Sequence, residues 1–238
     1  MINETKKYVI NLKKRPDRLK LIMQEFKNIG YNDVELFEGI DTNSHVGCAL
    51  SHIEIIKKAI NDGLENVIIF EDDLIFMPYA KSFLYDLEKE LENIEFGCLN
   101  LNPSIHRPLN ISSNSELLLD LTNRPPKEEN HRGIYSTGFI LYNKKIFNEM
   151  LKYNSRIAID EFLDTYIYEK YQSYSPCLPI CCQRNGHSDI SNGEYSSFYI
   201  QTYNWNVYCP NKIPSNYTSQ EYVLNLNNYD SDYKKILK

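Results

Sequence analysis

No apolar run in this sequence approaches the ~20 residues needed to cross a bilayer. The start, Met1-Ile-Asn-Glu-Thr-Lys-Lys7, leads straight into Tyr8-Val-Ile-Asn-Leu12, without the apolar core and small-residue cleavage site of a secretory signal. The expectation is a cytoplasmic, intracellular protein with no transmembrane segment. Positive charge is also scarce: 26 Lys and Arg stand against 32 Asp and Glu, a formal net charge of -6. Nucleic acid is therefore not an expected partner, because phosphate neutralisation needs basic residues gathered on one face. Any basic site must be local. The six cysteines, Cys48, Cys98, Cys177, Cys181, Cys182 and Cys209, show no paired C-x-x-C spacing, which argues against a structural zinc site. Disulfides are not expected either, since 238 residues with 42% apolar content can bury their own core. Internal repeats are absent, which excludes a solenoid. Nothing in the sequence bears on oligomeric state.

What is present is an alternation of apolar runs and helical periods. Lys7–Leu12 reads as a buried strand. Leu19, Ile22, Met23 and Phe26 then recur at helical spacing, with Pro16 in the first turn and Gly30 as the stop. Val34–Phe37 is a second strand. A helix follows that carries Val46, Ala49, Leu50, Ile53, Ile56 and Ile60 and ends at Gly63. Val67-Ile68-Ile69-Phe70 reads as a central strand. Ala80–Leu91 is helical and Cys98–Leu101 a strand. The proline-rich stretch 102–132 reads as a long lid or binding loop, with a short strand possible at Leu117-Leu118-Leu119. Tyr135–Tyr142 is a strand, Lys144–Leu151 and Ile159–Tyr171 are helices, and Leu178–Gln183 is the last clear strand. The pattern predicts one α/β domain over 1–238, with a mostly parallel central sheet flanked by helices and a less regular C-terminal segment from about 192. In such sheets ligands bind beyond the carboxyl ends of the strands. That rule points to Asn11, to Glu71–Asp73 and to 100–102.

Glu71-Asp72-Asp73 is the sharpest chemical signal. Three acids emerging from an apolar strand repel one another unless protons or a cation neutralise them, and a hard divalent ion with oxygen ligands, Mn²⁺ or Mg²⁺, answers that need. An acidic turn capping the next helix is the competing reading. Arg15 and Arg18, just past Asn11-Leu12, offer guanidinium forks suited to phosphate oxygens, or else partners for surface acids.

Three segments in order, Tyr8-Val-Ile-Asn-Leu-Lys-Lys-Arg-Pro-Asp-Arg18, Val46-Gly-Cys-Ala-Leu-Ser-His52 and Val67-Ile-Ile-Phe-Glu-Asp-Asp-Leu74, followed by Ser136-Thr-Gly-Phe-Ile-Leu-Tyr142, Ile159-Asp160 and Ser188-Asp189-Ile190, carry a resemblance. Together they resemble glycosyltransferase family 25, which holds bacterial lipooligosaccharide galactosyltransferases and collagen hydroxylysine galactosyltransferases. The resemblance implies a GT-A (Rossmann-like) fold, a UDP-sugar donor, a divalent metal and inversion at the anomeric carbon. It implies donor contacts at Asn11, Leu12, Arg15, Arg18, Gly47, Ser51, His52 and Asp72, an internally hydrogen-bonded core residue being the alternative for His52 and likewise for Ser51. Asp73 becomes the direct metal ligand, helped by Glu71, with His187 and Asp189 completing the shell. Asp160 and Glu161 are the candidate bases for the acceptor hydroxyl, a helix N-cap being the plainer role for Asp160. The implied reaction moves galactose or glucose from a UDP-sugar to a hydroxyl of a glycan or glycosylated acceptor. A catalytically inactive binding module is the alternative. A metal-dependent phosphohydrolase is disfavoured, because no D-x-D-x-T/V strand end is present. The Tyr-rich segment 195–208 and the loop 102–132 are where an acceptor sugar would be sought.

Overall fold

The computed structural model describes residues 1–124, 133–188 and 193–195, with 186–188 and 193–195 described by backbone alone. The chain opens with β1 (Lys6–Asn11), α1 (Pro16–Ile29), β2 (Val34–Glu38), α2 (His45–Asn61), β3 (Asn66–Glu71), β4 (Leu74–Phe76) and α3 (Ala80–Leu91). It continues with β5 (Cys98–Asn100), β6 (Ser104–Ile105), β7 (Asn110–Ile111), β8 (Leu118–Asp120), β9 (Ile134–Tyr135), β10 (Phe139–Asn143), α4 (Lys144–Met150) and α5 (Ile159–Phe162). A π-helical turn at Leu163–Ile167 leads to β11 (Ser173–Pro176), β12 (Cys181–Gln183), β13 (Gly186–Ser188) and β14 (Gly193–Tyr195).

Eight strands form the main sheet in the order β2-β1-β3-β10-β5-β11-β8-β7. β1 pairs in parallel with both β2 and β3, and β5 with β11, whereas β10 and β8 run antiparallel to their neighbours. Six of the eight strands thus point one way, as an α/β sheet flanked by helices should, and β10 is inserted against them in the middle. The reversal brings the start of β10 to the same edge as the ends of β1, β3 and β5.

Side-chain alternation along β3 decides what each helix covers. Phe70 meets Phe26 of α1 with ring centroids 4.8 Å apart, within an aromatic cluster that includes Phe76 and Phe139. Glu71, one residue on, faces Cys48 and His52 of α2. The two helices therefore lie on opposite faces of the sheet. α1 ends as expected at Gly30, whose φ of 90° is the left-handed cap that glycine adopts without strain. No helix among the described residues is long and apolar enough to cross a membrane. The five described cysteines are free thiols.

Four expectations need correction. The stretch 102–124 is not an open loop. It supplies β6, β7 and β8, and Leu117, Leu118, Leu119 and Leu121 are buried, so leucine burial holds it to the sheet edge. The expected strand Tyr135–Tyr142 breaks at Ser136-Thr137-Gly138, where Ser136 takes a φ of 70°. The expected helix Ile159–Tyr171 is α5 plus the π turn. Arg124 Nη2 donates to the Asp164 carbonyl at 2.7 Å, and the Tyr168 amide reaches back to the Leu163 carbonyl instead. The expected strand Leu178–Gln183 starts only at Cys181, as β12, and β11 escapes sequence reading because Ser173-Tyr174-Ser175-Pro176 has no apolar run. Of the segment from about 192, only the backbone of β14 is described.

Candidate functional site at the carboxyl edge of the sheet

Strand register assembles the site. Ile10 lies opposite Glu71, which brings Asn11 level with Asp72, and Asn11 Nδ2 donates to Asp72 Oδ2 at 2.6 Å. On the other side Phe139 lies opposite Phe70, so Gly138 meets Glu71 and its carbonyl accepts the Glu71 amide at 2.8 Å. The pleat then divides the acidic triplet. Glu71 turns toward α2, while Asp72 turns toward α1, where Arg18 Nη1 donates to Asp72 Oδ1 at 3.0 Å and lies 3.5 Å from Asp73 Oδ2. Asp73 Oδ1 is buried with no hydrogen-bond partner.

The electrostatics follow from this packing. Burial pushes the Asp73 carboxyl up to about 7, and the Glu71 and Asp72 charges add to the shift against the opposing pull of Arg18. Burial also raises Asp72, offset in part by Arg18 and Asn11. For Glu71 burial acts in the same direction, but the His52 ring and the Thr137 and Cys48 donors outweigh it and hold the carboxyl below its usual range. Thr137 Oγ1 donates to Glu71 Oε1 at 2.7 Å.

Asp160 stands at the start of α5 against the same edge. Its Oδ2 accepts the Ser136 amide at 3.1 Å and its Oδ1 the Glu161 amide at 2.9 Å. Burial raises its pKa, the two amides oppose that, and the Glu71 charge raises it further. Glu161 is exposed. The loop Ser136-Thr137-Gly138 is the hub of the edge: Ser136 Oγ also donates to Asn102 Oδ1 at 2.8 Å, and Asn100 Nδ2 donates to the Ser136 carbonyl at 2.8 Å. A Cβ on Gly138 would come within 2.5 Å of Asn102 Oδ1, so only glycine lets the loop close this tightly.

The remaining sequence candidates fall into place differently. Arg15 pairs with Asp17 at 2.9 Å, and Leu12 is half-buried beside it in the chain. Gly47 and Ser51 serve the loop after β2. A Cβ on Gly47 would lie 2.2 Å from the Ile40 carbonyl oxygen, and Ser51 Oγ accepts the Ile40 amide at 2.9 Å while donating to the Gly47 carbonyl at 2.8 Å. Both residues shape the backbone of that loop. His52 is fully buried and faces Glu71. The His187 side chain and Asp189 lie outside the described residues.

The profile described as "Glycosyltransferase family 25 (LPS biosynthesis protein)" matches residues 42–163, half of the 238-residue chain. The chain belongs to glycosyltransferase family 25. The family 25 match spans the acidic triplet, the α2 segment from Gly47 to His52, the Ser136-Thr137-Gly138 loop and Asp160, and leaves Asn11, Arg15 and Arg18 outside it. Among curated relatives, a glycosyltransferase 25 family member of Aedes aegypti is 30% identical over 103 residues, covering 31% of this chain and 17% of its own. A procollagen lysyl hydroxylase and glycosyltransferase of Acanthamoeba polyphaga mimivirus is 31% identical over 149 residues, 46% of this chain and 16% of its own. A probable inactive glycosyltransferase 25 family member 3 of Bos taurus is 41% identical over 51 residues, 21% of this chain and 9% of its own. The chain thus matches less than a fifth of the length of each of these relatives. An α/β sheet with helices on both faces is the GT-A arrangement that family 25 membership implies.

Two residues next to the acids had no part in the sequence reading. Glu25 of α1 is 1% exposed, accepts the Phe76 amide at 3.1 Å through Oε2, and has Oε1 3.6 Å from Arg184 Nη2. Arg184 in turn donates its amide to the Asp73 carbonyl. The only sequence signal was the position of Glu25 on the buried stripe of α1, one residue before Phe26. Burial pushes the Glu25 carboxyl from 4.5 to about 7, against the Phe76 amide and the Arg184 charge. Because the folded state holds this proton more tightly than the unfolded chain, its stabilisation is complete below about pH 4.5 and is lost as pH rises through about 7. Glu25→Gln is expected to flatten the fall in melting temperature over that window. The difference from wild type should grow to roughly 3 kcal/mol by pH 8, at ~1.4 kcal/mol per pKa unit. Parallel pH-dependent slopes for the two proteins would show that Glu25 does not titrate there.

Proposed function

We propose that this family 25 chain is an inverting, metal-assisted hexosyltransferase that moves galactose or glucose from a UDP-sugar to a hydroxyl of a glycan or glycosylated acceptor. The observation that carries this reading is the buried, unpartnered Asp73 Oδ1 at the carboxyl edge of the sheet. A carboxylate buried beside two other acids, with a lone oxygen unsatisfied, fits an oxygen-ligated divalent ion. Asp73 would hold it, with Glu71 from the same turn. Bound there, Mn²⁺ or Mg²⁺ would supply positive charge against the diphosphate as it leaves.

The chain's own residues do the rest. Arg18 holds Asp72 and Asp73 in place and, with Asn11, Leu12 and Arg15, borders the donor diphosphate. Asp160, fixed by two backbone amides and with its pKa raised, takes the proton of the acceptor hydroxyl. The freed oxygen attacks the anomeric carbon opposite the diphosphate, whose bond to that carbon breaks, and the configuration inverts.

The test is to supply Mn²⁺, UDP-galactose or UDP-glucose and a set of acceptor sugars, and to follow UDP release with and without chelator. Release that needs the metal is expected; none with any donor and acceptor would sink the enzyme reading. The second reading, a binding module without turnover, draws on the cattle relative described as probable inactive. UDP binding without release is its signature.

A further inference from the structure

On the α2 face of β3, Cys48 and His52, which the proposed transfer reaction does not use, bring two further donor atoms up to Glu71. Cys48 Sγ donates to Glu71 Oε1 at 3.6 Å, and His52 Nε2 stands 3.9 Å from the same oxygen. The three ligand atoms all fall within 4.8 Å of one another. His52 is fully buried, and its Nε2 has no hydrogen-bond partner. Its other nitrogen, Nδ1, is 3.1 Å from the Tyr142 hydroxyl. An ion would meet the ring in its neutral form, with the proton on Nδ1 donated to that hydroxyl and the Nε2 lone pair turned to Cys48 and Glu71.

We propose that Cys48, His52 and Glu71 form a binding site for a borderline-soft divalent ion of the zinc type, distinct from the oxygen site at Asp73. The donor chemistry argues for this choice. Thiolate and imidazole favour zinc and cobalt over magnesium, calcium and manganese, which prefer oxygen. The geometry agrees: Zn–S of ~2.3 Å and Zn–N or Zn–O of ~2.1 Å put tetrahedral ligands roughly 3.4–3.6 Å apart, close to the 3.6 and 3.9 Å separations of Cys48 and His52 from Glu71. The outer contacts are those of a metal ligand set: Tyr142 fixes the histidine ring, and Thr137 Oγ1 holds the carboxylate from behind at 2.7 Å. On binding, the ion takes the place of the Cys48 thiol proton, which leaves to solvent. The fourth position is left to water. Because Glu71 is shared, an ion here draws that carboxylate toward α2 and away from Asp73.

The test is metal binding by the full chain, which reads out independently of turnover. Titration with Co²⁺ should give a thiolate-to-cobalt charge-transfer band in the near ultraviolet, saturating at one ion per chain. Cys48→Ser should abolish the band and weaken Zn²⁺ binding at least about 100-fold. Tyr142→Phe should weaken it about tenfold, as loss of an outer partner does. Asp73→Asn should keep the band. Zn²⁺ should also protect Cys48 of the wild-type protein from alkylation, mapped by peptide mass, a measurement that needs no variant to fold. A band that survives Cys48→Ser, cobalt binding that never shows thiolate character, or Cys48 alkylation unchanged by Zn²⁺ would each overturn the proposal.

Discussion

Asp73→Asn is expected to abolish metal-dependent UDP release, by about 10³-fold, while leaving the fold intact. A bound metal ion is worth several kcal/mol to the departing charge, and each ~1.4 kcal/mol is a factor of ten in rate. The amide keeps the shape of the carboxyl, and Arg18 retains its 3.0 Å bond to Asp72. Stability without metal should hold or rise, because the substitution removes a charge that burial, Glu71 and Asp72 all disfavour. Mn²⁺ should raise the melting temperature of the wild type and not of the variant, since a ligand that binds only the folded state stabilises it by mass action. Retained turnover in Asp73→Asn, or an equal Mn²⁺ shift in both proteins, would remove Asp73 from the metal site.

Asp160→Asn should lower kcat by about 10²–10⁴-fold, the usual contribution of a positioned general base, with little change in KM for the donor. The structural cost is small. Each Asp160 oxygen accepts one backbone amide, from Ser136 or Glu161, and an asparagine can serve only one of them, a loss of about 1 kcal/mol. A merely structural Asp160 would give a lower melting temperature and an unchanged pH profile. A catalytic one removes the acidic limb of kcat/KM, the limb that reports its ionisation. Glu161→Gln, on an exposed side chain, serves as the comparison and should change kcat little. Activity within tenfold of wild type in Asp160→Asn would move the base elsewhere.

Much of the frame was legible from local pattern. The apolar runs at β1, β2 and β3, the helical periods of α1, α2 and α3, and the Gly30 stop are properties of a dozen residues at a time, and they appear where the periodicity puts them. Ser44, a residue type that favours helix starts, caps α2 by accepting the Val46 amide at 3.3 Å. The rule that ligands gather beyond the carboxyl ends of strands drew attention to Asn11, Glu71–Asp73 and 100–102, and the structure brings all of these to one edge. The parts that could not be read depend on long-range pairing. Nothing in Phe139–Asn143 says that this strand runs against β3 and β5, and nothing in Ser173–Pro176 marks it as a strand until β5 and β8 flank it.

The same division holds within the site. Three consecutive acids after four apolar residues, and the family they belong to, are facts of the sequence. Which way each acid turns is not, because alternation along β3 matters only once α1 and α2 occupy opposite faces of the sheet. Packing then gives Glu71 to Thr137, Cys48 and His52, gives Asp72 to Arg18 and Asn11, and leaves one oxygen of Asp73 buried without a partner. Glu25 and Arg184, 159 positions apart by number, approach only because β12 pairs with β4 beside α1. Local periodicity is encoded by neighbours in the chain; the charge environment of a carboxylate is set by neighbours in space, and those exist only in the folded protein.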